Sequence, residues 1–201
     1  APPAARALLE RAKISVWSLP FCASVEEGLR LEQHGFACVY LHRVGIVSRY
    51  MDLVRLYQPK ARVIYSVADL HFLRLERQAR EMEQPELLPR AARVRLLEGL
   101  GALQANVTLT HSAVEAALLH QLAPGARVCI VPWCVQAVRK KPRLAGRRGV
   151  VFVGHYAHVP NVDAAFWLGR EVMPLVWAHV PDMPCVLVGS SMPPSVQALA
   201  G

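Results

Sequence analysis

The chain has 201 residues, 53% of them hydrophobic, and a formal charge of +8. That apolar content excludes disorder, no apolar run reaches the roughly 18–20 residues of a spanning helix, and the N-terminus lacks a signal-peptide pattern, so a soluble, cytoplasmic chain is expected. The positive charge suits phosphates or acidic lipid headgroups, and with no nucleic-acid-binding signature beside it nucleic acid is not an expected partner.

Strand and helix signals alternate along the chain. Residues 14–17 read as a short strand ending at Leu19-Pro20. Residues 25–35 read as a helix, with Ser24 as its cap, Glu26 and Glu27 in its first turn and Gly35 as its stop. A strand over 36–41 and a helix over 45–57, closed by Pro59, come next. The strand 62–67 then runs into Ala68-Asp69-Leu70-His71. Residues 70–104 are helical, with interruptions near Pro85 and Pro89, where the backbone donor is lost. After a strand over 107–109, Ser112 caps a helix to about Leu122, and Glu115 completes a Ser-x-x-Glu capping box. Pro124-Gly125 turns the chain into a strand over 128–131.

Six cations follow in one stretch of ten residues: Arg139, Lys140, Lys141, Arg143, Arg147 and Arg148, together with Pro142 and Gly146. This reads as a solvated linker over 135–148, with peripheral contact to an anionic membrane as its functional alternative. It divides an N-terminal unit, 1–134, from a second unit, 149–201. The second unit opens with a strand over 150–153, a Gly154 turn and a helix from Pro160-Asn161, which Pro174 should kink or end. A strand over 185–188, a Gly189-Ser190-Ser191 turn and a helix start over 194–200 complete it.

Strands separated by helices, several of them continuous apolar runs, predict α/β architecture: a Rossmann-like parallel sheet with helices on both faces, then the start of a second such domain. Two strands cannot hide both faces of a parallel sheet, so the second unit is expected to be a truncated part of a longer protein or to need a partner. The five scattered cysteines form no Cys-x-x-Cys pair. Buried reduced thiols are expected, with a zinc site or disulfides as the alternatives.

Two strand-to-helix junctions carry the candidate chemistry, because a Gly turn feeding a helix start brings backbone N–H groups and the helix dipole toward an anion. In one, Gly154 allows close approach and Asn161 caps the helix; the alternative is an ordinary tight turn with its cap. In the other, Asp69 and His71 sit at a strand end where α/β sheets place ligands. Asp69 either orients His71 or caps the helix near Leu70. Gly189-Ser190 repeats the strand-end pattern. Arg74, Arg77 and Arg80 recur every three residues and read as a solvated face paired with Glu76, Glu81 and Glu83 rather than a substrate clamp. His111-Ser112 is another strand-end position, though capping explains Ser112 fully, and Trp133 and Trp177 read as packing groups. The Asn106-Val-Thr108 sequon enters a buried strand and is set aside.

The segment Arg62-Val-Ile-Tyr-Ser-Val-Ala-Asp-Leu-His-Phe-Leu-Arg-Leu-Glu-Arg-Gln-Ala79 and the segment Val150-Val-Phe-Val-Gly-His-Tyr-Ala-His-Val-Pro-Asn-Val-Asp-Ala-Ala-Phe-Trp167, with Val131-Pro132 and Leu187-Val-Gly-Ser190, resemble the group 1 glycosyltransferases, glycosyltransferase family 4. The likeness runs from about residue 60 to 190; residues 1–58 fit the other strand–helix pairs but carry no motif. It implies the GT-B fold and transfer of a sugar from a nucleotide-sugar donor to a glycan or lipid-linked acceptor, with retention of anomeric configuration. The nucleotide-sugar would be a co-substrate, with no cofactor and no metal required. By the same resemblance, His71 donates a hydrogen bond at the reacting centre beside Asp69, and Gly154, His155, His158, Asn161, Gly189 and Ser190 hold the donor diphosphate. Many members place Arg after the first glycine and Lys six positions later; here His155 and Asn161 stand there. The family's Glu-x7-Glu motif and its Gly-rich first strand–loop are not in the chain, so an isolated piece would be inactive. The alternative is a non-catalytic GT-B-like module that binds a glycan or a partner.

Overall fold

The computed structural model describes residues 3–32, 35–134 and 145–200, Pro3 and Ala4 by their backbone alone. The chain divides into two compact units, 1–135 and 136–201. Most of the expected basic linker, 135–144, lies outside the described residues.

The first unit begins with α1 (Pro3–Arg11) and α2 (Val25–Leu31), then alternates β1 (Cys38–His42), α3 (Val44–Tyr57), β2 (Arg62–Ser66), α4 (His71–Glu81), α5 (Leu88–Gln104), β3 (Val107–Thr110), α6 (Ala113–Leu122) and β4 (Val128–Ile130). The four strands form one all-parallel sheet in the order β1-β2-β3-β4, an arrangement compatible with a Rossmann-like fold. Each step goes the same way across the sheet. Right-handed crossovers taken in one direction put every connecting helix on the same face. Accordingly, α3 packs on α5 and α5 on α6. Beneath them lies a core of Leu41, Val47, Met51, Val54, Val63, Tyr65, Ala102 and Leu119.

Helices on both faces were expected, and this is corrected: the described connecting helices cover one. On the opposite face Cys38, Tyr40, His42 and Arg62 are exposed, and Ile64, Leu109 and Cys129 are half-buried. Crossover helices reach the second face only where strand order reverses, and the described strands show no reversal. The expected burial of the cysteines falls with it, though not their free state. All five thiols are free, Cys38 and Cys134 are exposed and the other three are half-buried.

Local departures have local causes. Residues 14–17 form no strand; Arg6 donates to the Val16 carbonyl and to Ser18 Oγ, and Ile14 and Trp17 stay half-exposed. Ser24 does cap α2, accepting from the Glu27 N–H. That helix ends at Leu31, short of 35, and the buried amide of Gln58 donates to the Leu29 carbonyl while accepting from the Phe36 N–H. Pro85 opens a single 3-10 turn, whereas Pro89 lies in the first turn of α5, where its missing N–H costs nothing. Asn106 is structural: its amide oxygen accepts from the Val63 N–H and from Arg55.

Close helix packing depends on Gly101 of α5. A Cβ there would lie 2.9 Å from Val47 Cγ1 and 3.4 Å from Tyr65 Cε1. Val47 is buried and has nowhere to move. Gly101→Ala is therefore expected to lower stability by about 1–2 kcal/mol, overpacking outweighing the gain of ~1 kcal/mol in helix propensity. Urea denaturation reads the difference, and a stabilised variant would contradict the packing argument.

The second unit pairs β5 (Val150–Val153) with β6 (Cys185–Val188) in parallel. Between them run α7 (Val159–Trp167), a π turn over Leu168–Val172 and α8 (Met173–Trp177); α9 (Pro194–Gln197) follows β6. The π turn stands just before Pro174, which lacks the N–H an uninterrupted α-helix would use. Phe152 and Leu187 point into a small core with Tyr156, Ala165 and Val196. Val151, Val153, Val186 and Val188, on the other face of this pair, are exposed. No helix among the described residues is long and apolar enough to cross a membrane.

Candidate functional site

In the first unit the strand ends bring Asp69 and His71 together. Ala68, at φ 65°, turns the chain sharply out of β2. His71 Nε2 lies 3.2 Å from Asp69 Oδ1, and Arg74 Nη1 is 3.6 Å from Asp69 Oδ2. Burial holds the His71 pKa below its ordinary 6.5; Asp69 pulls it back up, while Arg74 and Arg43 push it further down. A neutral ring that donates Nε2–H to Asp69 presents Nδ1 as an acceptor. Donation from His71 to a reacting group would then require a second proton, which burial opposes. Asp69 orients His71 and does not cap α4; its N-cap position is Leu70, without a side-chain bond. Arg74, Arg77 and Arg80 are exposed, but Glu76 meets Arg95 of α5, at 4.0 Å, rather than an arginine of its own helix.

Two carboxylates not expected at this edge hold it. Glu115 was expected to return to its own cap as a capping box. Ser112 Oγ does accept from the Glu115 N–H, at 3.4 Å. The Glu115 carboxylate, however, accepts from the Leu70 N–H at 3.0 Å and from Thr110 Oγ1 at 2.8 Å. Glu98 of α5 accepts from the His71 and Phe72 N–H groups. Burial pushes its pKa up to about 7 against those two hydrogen bonds, which pull it down, with Asp69 and Glu115 adding to the rise. The sequence did hold a signal: Glu98 stands seven residues after Ala91 and four before Ala102, on the buried stripe of α5.

At the neighbouring strand ends His111 Nδ1 lies 2.6 Å from the Val131 carbonyl, and its ring stacks on Trp133 at 4.1 Å between centroids. Trp133 was expected to pack; instead it is 74% exposed. Trp177 donates its indole N–H to the Met183 carbonyl.

In the second unit the expected residues converge at the ends of β5 and β6. His155 Nδ1 is 2.7 Å from Ser190 Oγ, the Tyr156 N–H donates to the Ser190 carbonyl and the Gly154 N–H to the Val188 carbonyl. Gly189 lies directly against the Gly154 carbonyl, so that a Cβ would overlap its oxygen. Asn161 is not the N-cap. The helix begins at Val159 with His158 in the cap position, and the Asn161 amide donates to the His155 carbonyl at 2.9 Å. Pro160 has no N–H and that of Asn161 is spent on the His158 carbonyl. The backbone cradle is therefore thinner than the Pro-Asn signal implies. His158 is exposed and makes no side-chain capping bond.

A concavity of about 740 Å³ in the first unit is lined by Trp17, Leu29, Phe36, Arg49, Tyr50 and Leu53 among others, none of them at the β2–α4 junction. No three His, Cys, Asp or Glu side chains among the described residues converge to hold a metal ion. No protein-family model, curated protein or solved structure matches the chain.

Proposed function

We propose that the chain is part of a retaining glycosyltransferase of the family-4 type, which moves a sugar from a nucleotide-sugar donor to a glycan or lipid-linked acceptor. The supporting observation is the meeting of Gly154, His155, Gly189 and Ser190 at one strand-end edge of the second unit. Its hydroxyl, its imidazole and its bare glycine backbone suit a diphosphate without a metal. The first unit carries the Asp69–His71 pair with Arg74 beside it, polar groups of the kind the family-4 resemblance assigns to the sugar side of the reaction. The donor's anomeric C–O bond breaks, the acceptor oxygen takes its place on the same face of the sugar, and the nucleoside diphosphate leaves, its freed oxygen taking the acceptor's hydroxyl proton. The site is cytoplasmic in this reading, with the basic stretch touching the inner face of an anionic membrane.

The test is titration of the chain with UDP, GDP and ADP, followed by amide NMR. Shifts confined to residues 154–161 and 189–190, and weakened in His155→Ala, are the expected result. A folded chain in which no diphosphate moves those resonances would sink the proposal. One observation favours a second reading, a glycan-binding module without catalysis. The Asn161 amide and the first N–H groups of α4 are spent on internal partners, leaving fewer groups for phosphate. Glycan binding without nucleotide binding would select it.

A further inference from the structure

A helix start leaves donors unpaired, normally for water, a capping side chain or an anion. At α4 three successive donors are taken by carboxylates from two other helices. Leu70 N–H donates to Glu115 Oε1 at 3.0 Å, His71 N–H to Glu98 Oε1 at 2.8 Å and Phe72 N–H to Glu98 Oε2 at 3.3 Å. Leu70, in the cap position, offers no side-chain acceptor. Glu98 is 0% exposed. A buried carboxylate costs stability unless it is hydrogen-bonded, and here both its oxygens are. The internal anion occupies the place an external one would take, so the backbone of this helix start is closed to ligand phosphate.

We infer that Glu98 is the positioning residue of the Asp69–His71 pair: by gripping the N–H groups of His71 and Phe72 it fixes the turn that sets His71 Nε2 against Asp69 Oδ1. Calling that pair ligand-facing rests on the function proposed above; the grip itself does not. Tyr65 of β2, Asp69 of the β2–α4 loop and Glu115 of α6 all bear on Glu98 or stand close to it, and where α3 meets α5 Val47 lies against Gly101. The Tyr65 hydroxyl is buried with no partner among the described residues, so it does not take over either oxygen. An ionised Glu98 accepts from both amides. Protonation turns one oxygen into a donor, and one N–H loses its acceptor. The grip on α4 therefore loosens as pH falls through the Glu98 titration.

The experiment follows the Glu98 carboxyl carbon, the His71 and Phe72 amides and the His71 imidazole by NMR between pH 5 and 8. It compares the unaltered chain with Glu98→Gln. In the unaltered chain both amides are expected to titrate with the Glu98 midpoint. Below it the protection factor of the amide that loses its acceptor should fall about tenfold, as the loss of one hydrogen bond implies. In Glu98→Gln that titration vanishes and the His71 midpoint rises as the ring loses burial. Amides that ignore the Glu98 midpoint, or an unchanged His71 midpoint in the variant, would overturn the inference. Should the variant fail to fold, the titration of the unaltered chain decides alone. None of these readouts involves a nucleotide, so failure here and failure of the transferase reading are separable.

Discussion

Gly189→Ala is expected to unfold the second unit. The new methyl would overlap the Gly154 carbonyl oxygen, and its carbon would lie 2.8 Å from the Gly154 carbonyl carbon and 3.0 Å from Tyr156 Cε2. The obstacle is backbone, not the end of a flexible side chain. Relief requires β5 and β6 to part at this end. That breaks the bonds from Gly154 N–H to Val188 and from Tyr156 N–H to Ser190, both 2.9 Å. At roughly 1 kcal/mol for each bond, plus strain and lost packing around buried Tyr156, the cost exceeds about 3 kcal/mol. A two-stranded sheet over a small core has little stability in reserve. Amide NMR of the full chain should lose the dispersed resonances of residues 150–200 and keep those of the first unit. A native-like spectrum with an unchanged melting temperature would show that the close approach is not required.

The second large effect is in pH. The Glu98 pKa rises from its ordinary 4.5 to about 7 because the carboxyl is buried. The folded chain thus holds this proton to higher pH than the unfolded chain. Its contribution to stability is fully present below pH 4.5 and is lost as pH rises through about 7. At 1.36 kcal/mol per pH unit the swing is about 3 kcal/mol. Glu98→Gln keeps the shape and one acceptor but not the titration. Urea unfolding of both chains from pH 4.5 to 8 should therefore show the unaltered chain losing about 3 kcal/mol relative to the variant. Parallel curves would count against a titrating Glu98. His71 works in the opposite sense. Burial lowers its pKa, so its contribution is present above its ordinary 6.5 and is lost as pH falls through the lowered value. Because the His71 midpoint is expected to rise in Glu98→Gln, both chains are compared on a His71→Gln background, which removes that contribution. An ionised Glu98 thus grips α4 more firmly while costing the whole fold more.

The strand-end residues were legible because their signals are local. A β-branched run followed by Gly or Asp and then a helix start marks the end of a parallel strand. Gly154, His155, Gly189 and Ser190 meet where that pattern puts them. Ser24 and Ser112 cap as read, since a cap needs only the next three residues. The second half of the Ser112 capping box failed because Thr110 and Leu70 offered Glu115 other donors. Asn161 failed as a cap because Val159 and Pro160 already belong to the helix.

What the sequence determined by itself is the alternation of strands and helices, the places where strands end and the polar groups found there, all set within a few residues along the chain. Tertiary structure alone decided strand order, and with it the single covered face of the first sheet, the exposure of Cys38 and the half-burial of Cys129. It also decided that Glu98, 27 residues from His71 in the chain, closes the start of α4. Such pairings depend on which elements become neighbours, and no local periodicity encodes that choice.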